Sequence, residues 1–211
     1  KNRLFNKYYE KSYLKSIFGI IYGKRYYRLI KNAEINLLVM TTFHKDFLIN
    51  LGFGSDKINI FRNPISSLSV DKYNQNSNYL VYAGRLSSDK GVEQLINAWI
   101  KSNLNKLSLK IIGDGDLLDK LSNKYTSFDI DFLGLLDNKT TLDLIKKSRG
   151  VITATRMYEG QPRLLCEASI NGIPSLFPDF GGMGEFFPKD YILKFEQFNY
   201  EDLSNKMGLF E

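Results

Sequence analysis

Residues 150–171 read GVITATRMYEGQPRLLCEASIN. The segment opens with an apolar, β-branched run, Gly150–Ala154, crosses a polar turn, and closes with a helical period from Arg163 to Asn171. Pro162 suits the first position of that helix, where its missing N–H costs nothing. A buried strand, a turn and a helix in this order form one step of a parallel sheet wound by crossover helices.

The same step recurs on both sides. Strands are expected at Tyr79–Gly84, Ser108–Ile112, Ile130–Leu133 and Pro174–Phe177, with helices at Lys90–Ser102, Leu117–Lys124 and Lys139–Lys146. A last short strand near Tyr191–Leu193 and a helix from Tyr200 complete a doubly wound α/β domain over residues 79–211. Upstream, Glu34–Thr42 and Lys57–Phe61 read as strands and Phe43–Leu51 as a helix, ending at Asn63-Pro64. Residues 1–65 therefore form a short, partial helical and strand segment, and the Ser- and Asn-rich stretch 66–78 reads as a linker.

In an open parallel sheet, ligands bind beyond the carboxyl ends of the strands, so the loops that follow the strands are the places to look. After the first strand comes Gly84-Arg85-Leu86-Ser87-Ser88-Asp89-Lys90-Gly91. Arg85 and Lys90 flank a helix start, whose free N–H groups already favour an anion, so the pair suits a diphosphate. Taken alone they are equally two surface cations. The Gly113-Asp114-Gly115 turn lets a ligand or a neighbouring backbone come close. It fails as a dinucleotide fingerprint, because Leu118 stands where the third glycine belongs. In the loop quoted first, Glu159 precedes the helix and Glu167 lies inside it among Leu164, Leu165, Cys166 and Ala168. A carboxylate in so apolar a helix is costly unless hydrogen-bonded, and paired sugar hydroxyls are well suited to its two oxygens; taken alone, Glu167 is equally a salt-bridged or exposed helix position. A fourth loop, Phe180-Gly181-Gly182-Met183-Gly184-Glu185, again offers glycine backbone at the start of an expected helix, or serves only as a turn.

These residues resemble the donor-binding domain of retaining GT-B glycosyltransferases, specifically family 4 with its E-x7-E motif. Four motifs occur in the family's order between residue 78 and about 207: G-R-L-S-x-x-K-G as Gly84–Gly91, G-D-G as Gly113–Gly115, E-x7-E as Glu159–Glu167, and G-G-x-x-E as Gly181–Glu185. The resemblance implies the Rossmann-like C-terminal half of a GT-B fold, with residues 33–64 similar to the end of the N-terminal acceptor domain. It assigns Arg85, Lys90 and Glu159 to catalysis, the cations neutralising the leaving diphosphate and Glu159 holding the transferred sugar. It places Gly84, Gly113, Gly115, Gly160, Gln161, Pro162, Arg163, Leu164, Glu167 and Gly182 around the donor, with Glu167 on the ribose. The implied donor is a nucleotide diphosphate sugar and the implied acceptor a glycan or a lipid-linked oligosaccharide. No cofactor or metal is expected, in keeping with a sequence that holds no His/Asp/Glu cluster at metal-ligand spacing. His44, the single histidine, reads as a surface or packing residue.

Composition agrees with a globular protein: 211 residues, 43% hydrophobic and 14% aromatic, with no apolar run near the roughly 20 residues of a spanning helix. One cysteine excludes an internal disulfide framework and points to the cytoplasm. The net charge of +6 is concentrated in residues 1–31, interleaved there with Tyr and Phe. That mixture suits the inner face of an anionic membrane, or a helix whose aromatics pack on a missing N-terminal domain. The slightly acidic remainder argues against nucleic acid. Because the chain begins at Lys1, it is expected to be part of a longer two-domain enzyme and weak or inactive alone. Two rivals share the architecture: a sugar-nucleotide 2-epimerase, and a non-catalytic nucleotide-sugar-binding module.

Overall fold

The computed structural model describes residues 12–65 and 76–211. Most of the expected linker therefore lies outside the described residues, as do the first eleven residues of the basic segment. The chain forms two compact units, one holding the residues up to Val39 with Lys45–Phe61, the other Met40–His44 with Arg62–Glu211.

The first unit is built on helix α1, Tyr13–Asn32, whose N-cap Ser12 accepts from the Lys15 N–H. Strand β1, Leu37–Val39, pairs in parallel with β2, Ile58–Ile60. The Tyr27 hydroxyl donates to the Leu51 carbonyl, and its ring meets Phe53 edge-on at 5.4 Å. Leu14, Phe18, Ile21, Tyr22 and Leu29 of α1 are all more than half exposed. Helix α2 spans Thr42–Asn50.

The second unit is the α/β domain. Its strands are β3 Tyr79–Ala83, β4 Ser108–Ile112, β5 Ile130–Gly134, β6 Gly150–Ile152, β7 Ser175–Asp179 and β8 Lys194–Glu196, all parallel, in the spatial order β5-β4-β3-β6-β7-β8. The helices are α3 Val92–Ser102, α4 Leu118–Lys124, α5 Asn138–Lys146, α6 Arg163–Ile170 and α7 Tyr200–Met207. Period-two alternation along β3 sends Leu80 and Tyr82 to one face and Val81 to the other. Leu80 and Tyr82 join Leu95, Trp99, Ile111 and Leu203, while Val81 joins Ile112, Ile145, Leu165 and Phe177. Both faces are buried, which explains the nearly continuous apolar runs of the strands. The chain moves outward from β3 to β5, then returns to lay β6 against the other side of β3. That reversal puts a switch point between β3 and β6, where a crevice opens at the strand ends.

Three expected element bounds are corrected. The strand expected at Glu34–Thr42 covers only Leu37–Val39, and Thr42 opens α2. The last strand is Lys194–Glu196 rather than Tyr191–Leu193. Tyr191 instead turns its hydroxyl onto the backbone N–H and carbonyl of Ser175, at 2.7 and 3.0 Å; the Leu193 carbonyl accepts from the Phe177 N–H at 3.3 Å, and the register with β7 runs from Lys194, opposite Phe177. The expected helix start at Lys90 is a single 3-10 turn, Ser88–Lys90, and α3 begins after Gly91.

Candidate functional site

The switch point holds a cleft of about 260 Å³ lined by Gly84, Lys90, Glu159, Gln161, Pro162, Arg163 and Leu164. A second cleft of about 470 Å³, which shares Gly84, Arg163 and Leu164 with the first, runs over the ends of β4 and β5 and is also lined by Arg85, Gly113 and Glu167. A third, of about 430 Å³, shares Gln161, Arg163 and Glu167 with these. Ten of the thirteen expected residues therefore line one or more of these three adjoining clefts at the carboxyl ends of the central strands.

The floor is backbone. Pro162 is the N-cap of α6 rather than its first residue, and no side chain caps that helix. Its first N–H groups, on Arg163 and Leu164, are thus left for an anion beside Gly84. Gly113 has φ +135°, and a Cβ there would overlap the carbonyl oxygen of Gly84. Only glycine allows the β3 and β4 loops to approach so closely.

Each cation of the cleft is already matched with an acid. Arg85 Nη2 lies 2.7 Å from Asp89 Oδ2, Lys90 Nζ 2.7 Å from Glu159 Oε1, and Arg163 Nε 2.6 Å from Glu167 Oε1. The Lys90–Glu159 pair is the most enclosed on both sides, at 26% and 23% side-chain exposure, and the Thr155 hydroxyl donates to the same Oε1 at 2.8 Å. The Arg85 and Arg163 side chains are mostly exposed, so their pairs add little stability. Burial pushes the Asp89 carboxyl up, but hydrogen bonds from Ser87, its own backbone N–H and Arg85 outweigh this and hold it below the usual range. Any anion that drew the cations away would free the Glu159 and Glu167 carboxylates to accept other hydrogen bonds.

Three expected residues lie elsewhere. Gly115 abuts the Leu86 carbonyl, Gly160 abuts Met40, and Gly182 faces Thr41, whose side chain would lie 2.6 Å from an added Cβ. Cys166 is buried, and that burial is the main cause pushing its thiol above the ordinary value, so it is no ready nucleophile. His44 shares a hydrogen bond of 2.8 Å with Thr41 Oγ1. Among the described residues, no three His, Cys, Asp or Glu side chains gather as a metal site.

Sequence reading missed several participants. Asp89 was legible as the i+4 partner of Arg85. Thr155 had no signal, and neither did Asn138, which accepts from Arg163 Nη2 at 3.1 Å. Asn63 was read only as a connection, yet its N–H donates to Gln161 Oε1 at 2.7 Å and its carbonyl accepts from Gln161 Nε2 at 3.0 Å.

Residues 69–211 match the family described as Glycosyl transferases group 1. Protein CapJ of Staphylococcus aureus is 26% identical over 195 residues, covering 85% of this chain and 48% of CapJ. The amylovoran biosynthesis glycosyltransferase AmsD of Erwinia amylovora is 26% identical over 129 residues, covering 60% of this chain and 37% of AmsD. Among solved structures, a variant of S. aureus TarM in complex with UDP, α-GlcNAc-glycerol and fondaparinux superposes with a TM-score of 0.74 at 21% identity, covering 87% of this chain and 38% of that one. The chain thus spans about half of CapJ and just over a third of AmsD.

Proposed function

The chain belongs to the glycosyl transferases group 1 family, and from that membership we propose that it is the donor-binding part of a retaining, family 4 glycosyltransferase that moves a sugar from a nucleotide diphosphate sugar to a glycan or lipid-linked acceptor. The carrying observation is the meeting of Lys90, Glu159, Gly84 and the uncapped start of α6 in one cleft at the switch point. Leaving-group departure places negative charge on the β-phosphate. In this reading Lys90, Arg85 and the N–H groups of Arg163 and Leu164 stabilise that charge as it develops. Glu159 then accepts from hydroxyls of the transferred sugar and Glu167 from the ribose. In this reading the positive charge comes from side chains and helix N–H groups, and we assign the chain no metal site.

AmsD, named for amylovoran biosynthesis, and TarM, solved with UDP and a glycosylated glycerol, favour cell-surface polysaccharide as the setting. We place the reaction on the cytoplasmic side, with α1 against anionic lipid: five Lys and Arg residues punctuate an exposed apolar helix. Among the described residues no helix is long and apolar enough to cross a membrane.

A thermal-shift screen of UDP, GDP, ADP and their sugars tests the donor reading. Ligand at 100 times its Kd stabilises by about 2.7 kcal/mol, which for a chain of this size raises Tm by roughly 5–10 °C. No shift with any of these nucleotides would reject the proposal.

A further inference from the structure

Glu185 closes the Gly181–Glu185 run but lines none of the three clefts. Its carboxylate is engaged elsewhere: Oε2 accepts from the Thr42 N–H and Oε1 from the Phe43 N–H, each at 2.8 Å. Arg62 Nη2 stands 3.6 Å from Oε2, with its guanidinium 5.1 Å above the Phe186 ring. Burial raises the Glu185 carboxyl, but the two N–H donors, the Thr42 side chain and Arg62 together hold it below its ordinary range. The carboxylate is therefore charged and bidentate at neutral pH. Thr42, Phe43 and Arg62 belong to the same compact unit as Glu185.

Both groups that Glu185 holds lead to the loop carrying Glu159. The Phe43 ring lies 5.0 Å from Tyr158, which stacks on Phe180 at 4.5 Å. Tyr158 immediately precedes Glu159. Arg62 is followed by Asn63, whose backbone makes the two hydrogen bonds with the Gln161 amide. Gln161 comes two residues after Glu159. The loop Tyr158–Gln161 is thus gripped at each end, and one carboxylate anchors both grips. We infer that Glu185 is a positioning residue for Glu159, fixing the acid loop against the transferred sugar without touching the donor; the role in transfer rests on the donor-site reading above.

Loop order is measured without any ligand, by 15N relaxation on the wild-type chain, Glu185→Gln, Glu185→Ala and Gln161→Met. Order parameters at Tyr158, Glu159, Gly160 and Gln161 are expected near about 0.85 in the wild type and below about 0.6 in Glu185→Ala, with β3 and β4 unchanged. Gln161→Met, which releases one grip, is expected to loosen Gly160 and Gln161 more than Tyr158. Wild-type rigidity of the loop in a folded Glu185→Ala protein overturns the inference. If that variant does not fold, Glu185→Gln, which keeps one acceptor oxygen, decides by the same criterion.

Titration with UDP-glucose separates positioning from general destabilisation. Glu185→Gln should weaken binding at least about fivefold in the wild-type background and less than about twofold when Glu159 is already Gln, because the two act as a unit. Equal losses in both backgrounds overturn the inference. A wild-type chain that binds neither UDP-glucose nor any nucleotide of the thermal screen rejects the donor-site reading, and the relaxation data still decide whether Glu185 orders the loop.

Discussion

Replacing Glu159 by Gln should separate the nucleotide from its sugar. Glu159 Oε1 accepts from both Lys90 Nζ, at 2.7 Å, and the Thr155 hydroxyl, at 2.8 Å. A diphosphate must draw Lys90 away from this pair. The substitution removes that competition, worth up to about 1 kcal/mol for a partly exposed ion pair. A bare nucleoside diphosphate should therefore bind the variant as tightly as the wild type, or up to about fivefold more tightly. The sugar conjugate loses a charge-assisted hydrogen bond to a hydroxyl, about 1.5–3 kcal/mol. The ratio of the two dissociation constants should thus rise roughly 10- to 150-fold. Isothermal titration of one variant preparation with the best nucleotide of the thermal screen and with its sugar conjugate measures both. Equal weakening of the two ligands would show that Glu159 does not distinguish the sugar, and the assignment of its role would fall.

Gly113→Ala places an alanine at φ +135° with its Cβ on the Gly84 carbonyl oxygen. Strain and overpacking each cost about 1–3 kcal/mol, so Tm should fall on the order of 10 °C, and a variant melting within about 1 °C of the wild type would refute the close approach of these loops. Helix α1 carries five Lys and Arg residues, each worth about 1 kcal/mol near an anionic surface, so the chain should co-sediment with phosphatidylglycerol vesicles and be released by about 0.5 M salt. Equal retention on phosphatidylcholine vesicles, or none on either, would remove α1 as a membrane contact.

The alternation of strands and helices from Tyr79 to Phe177 was legible in sequence because each signal is short-ranged: β-branched runs of about five residues, a proline before a helix, polar turns between. The same local reading put Arg85, Lys90, Glu159 and Glu167 in or beside loops that follow strands. It failed at Tyr191–Leu193, where a tyrosine hydroxyl bonded to Ser175 outweighed β propensity. Glu185 was visible as the end of a motif, but its partners were not.

What sequence alone determined is the alphabet of elements and the residue types at their ends. Tertiary structure decided which of them meet. Lys90 reaches Glu159 across 69 residues because β6 returns to lie beside β3, and Glu185 reaches Phe43 across 142 residues. Strand order and chain reversal are set by burial of both sheet faces at once, a global condition that no window of neighbouring residues contains.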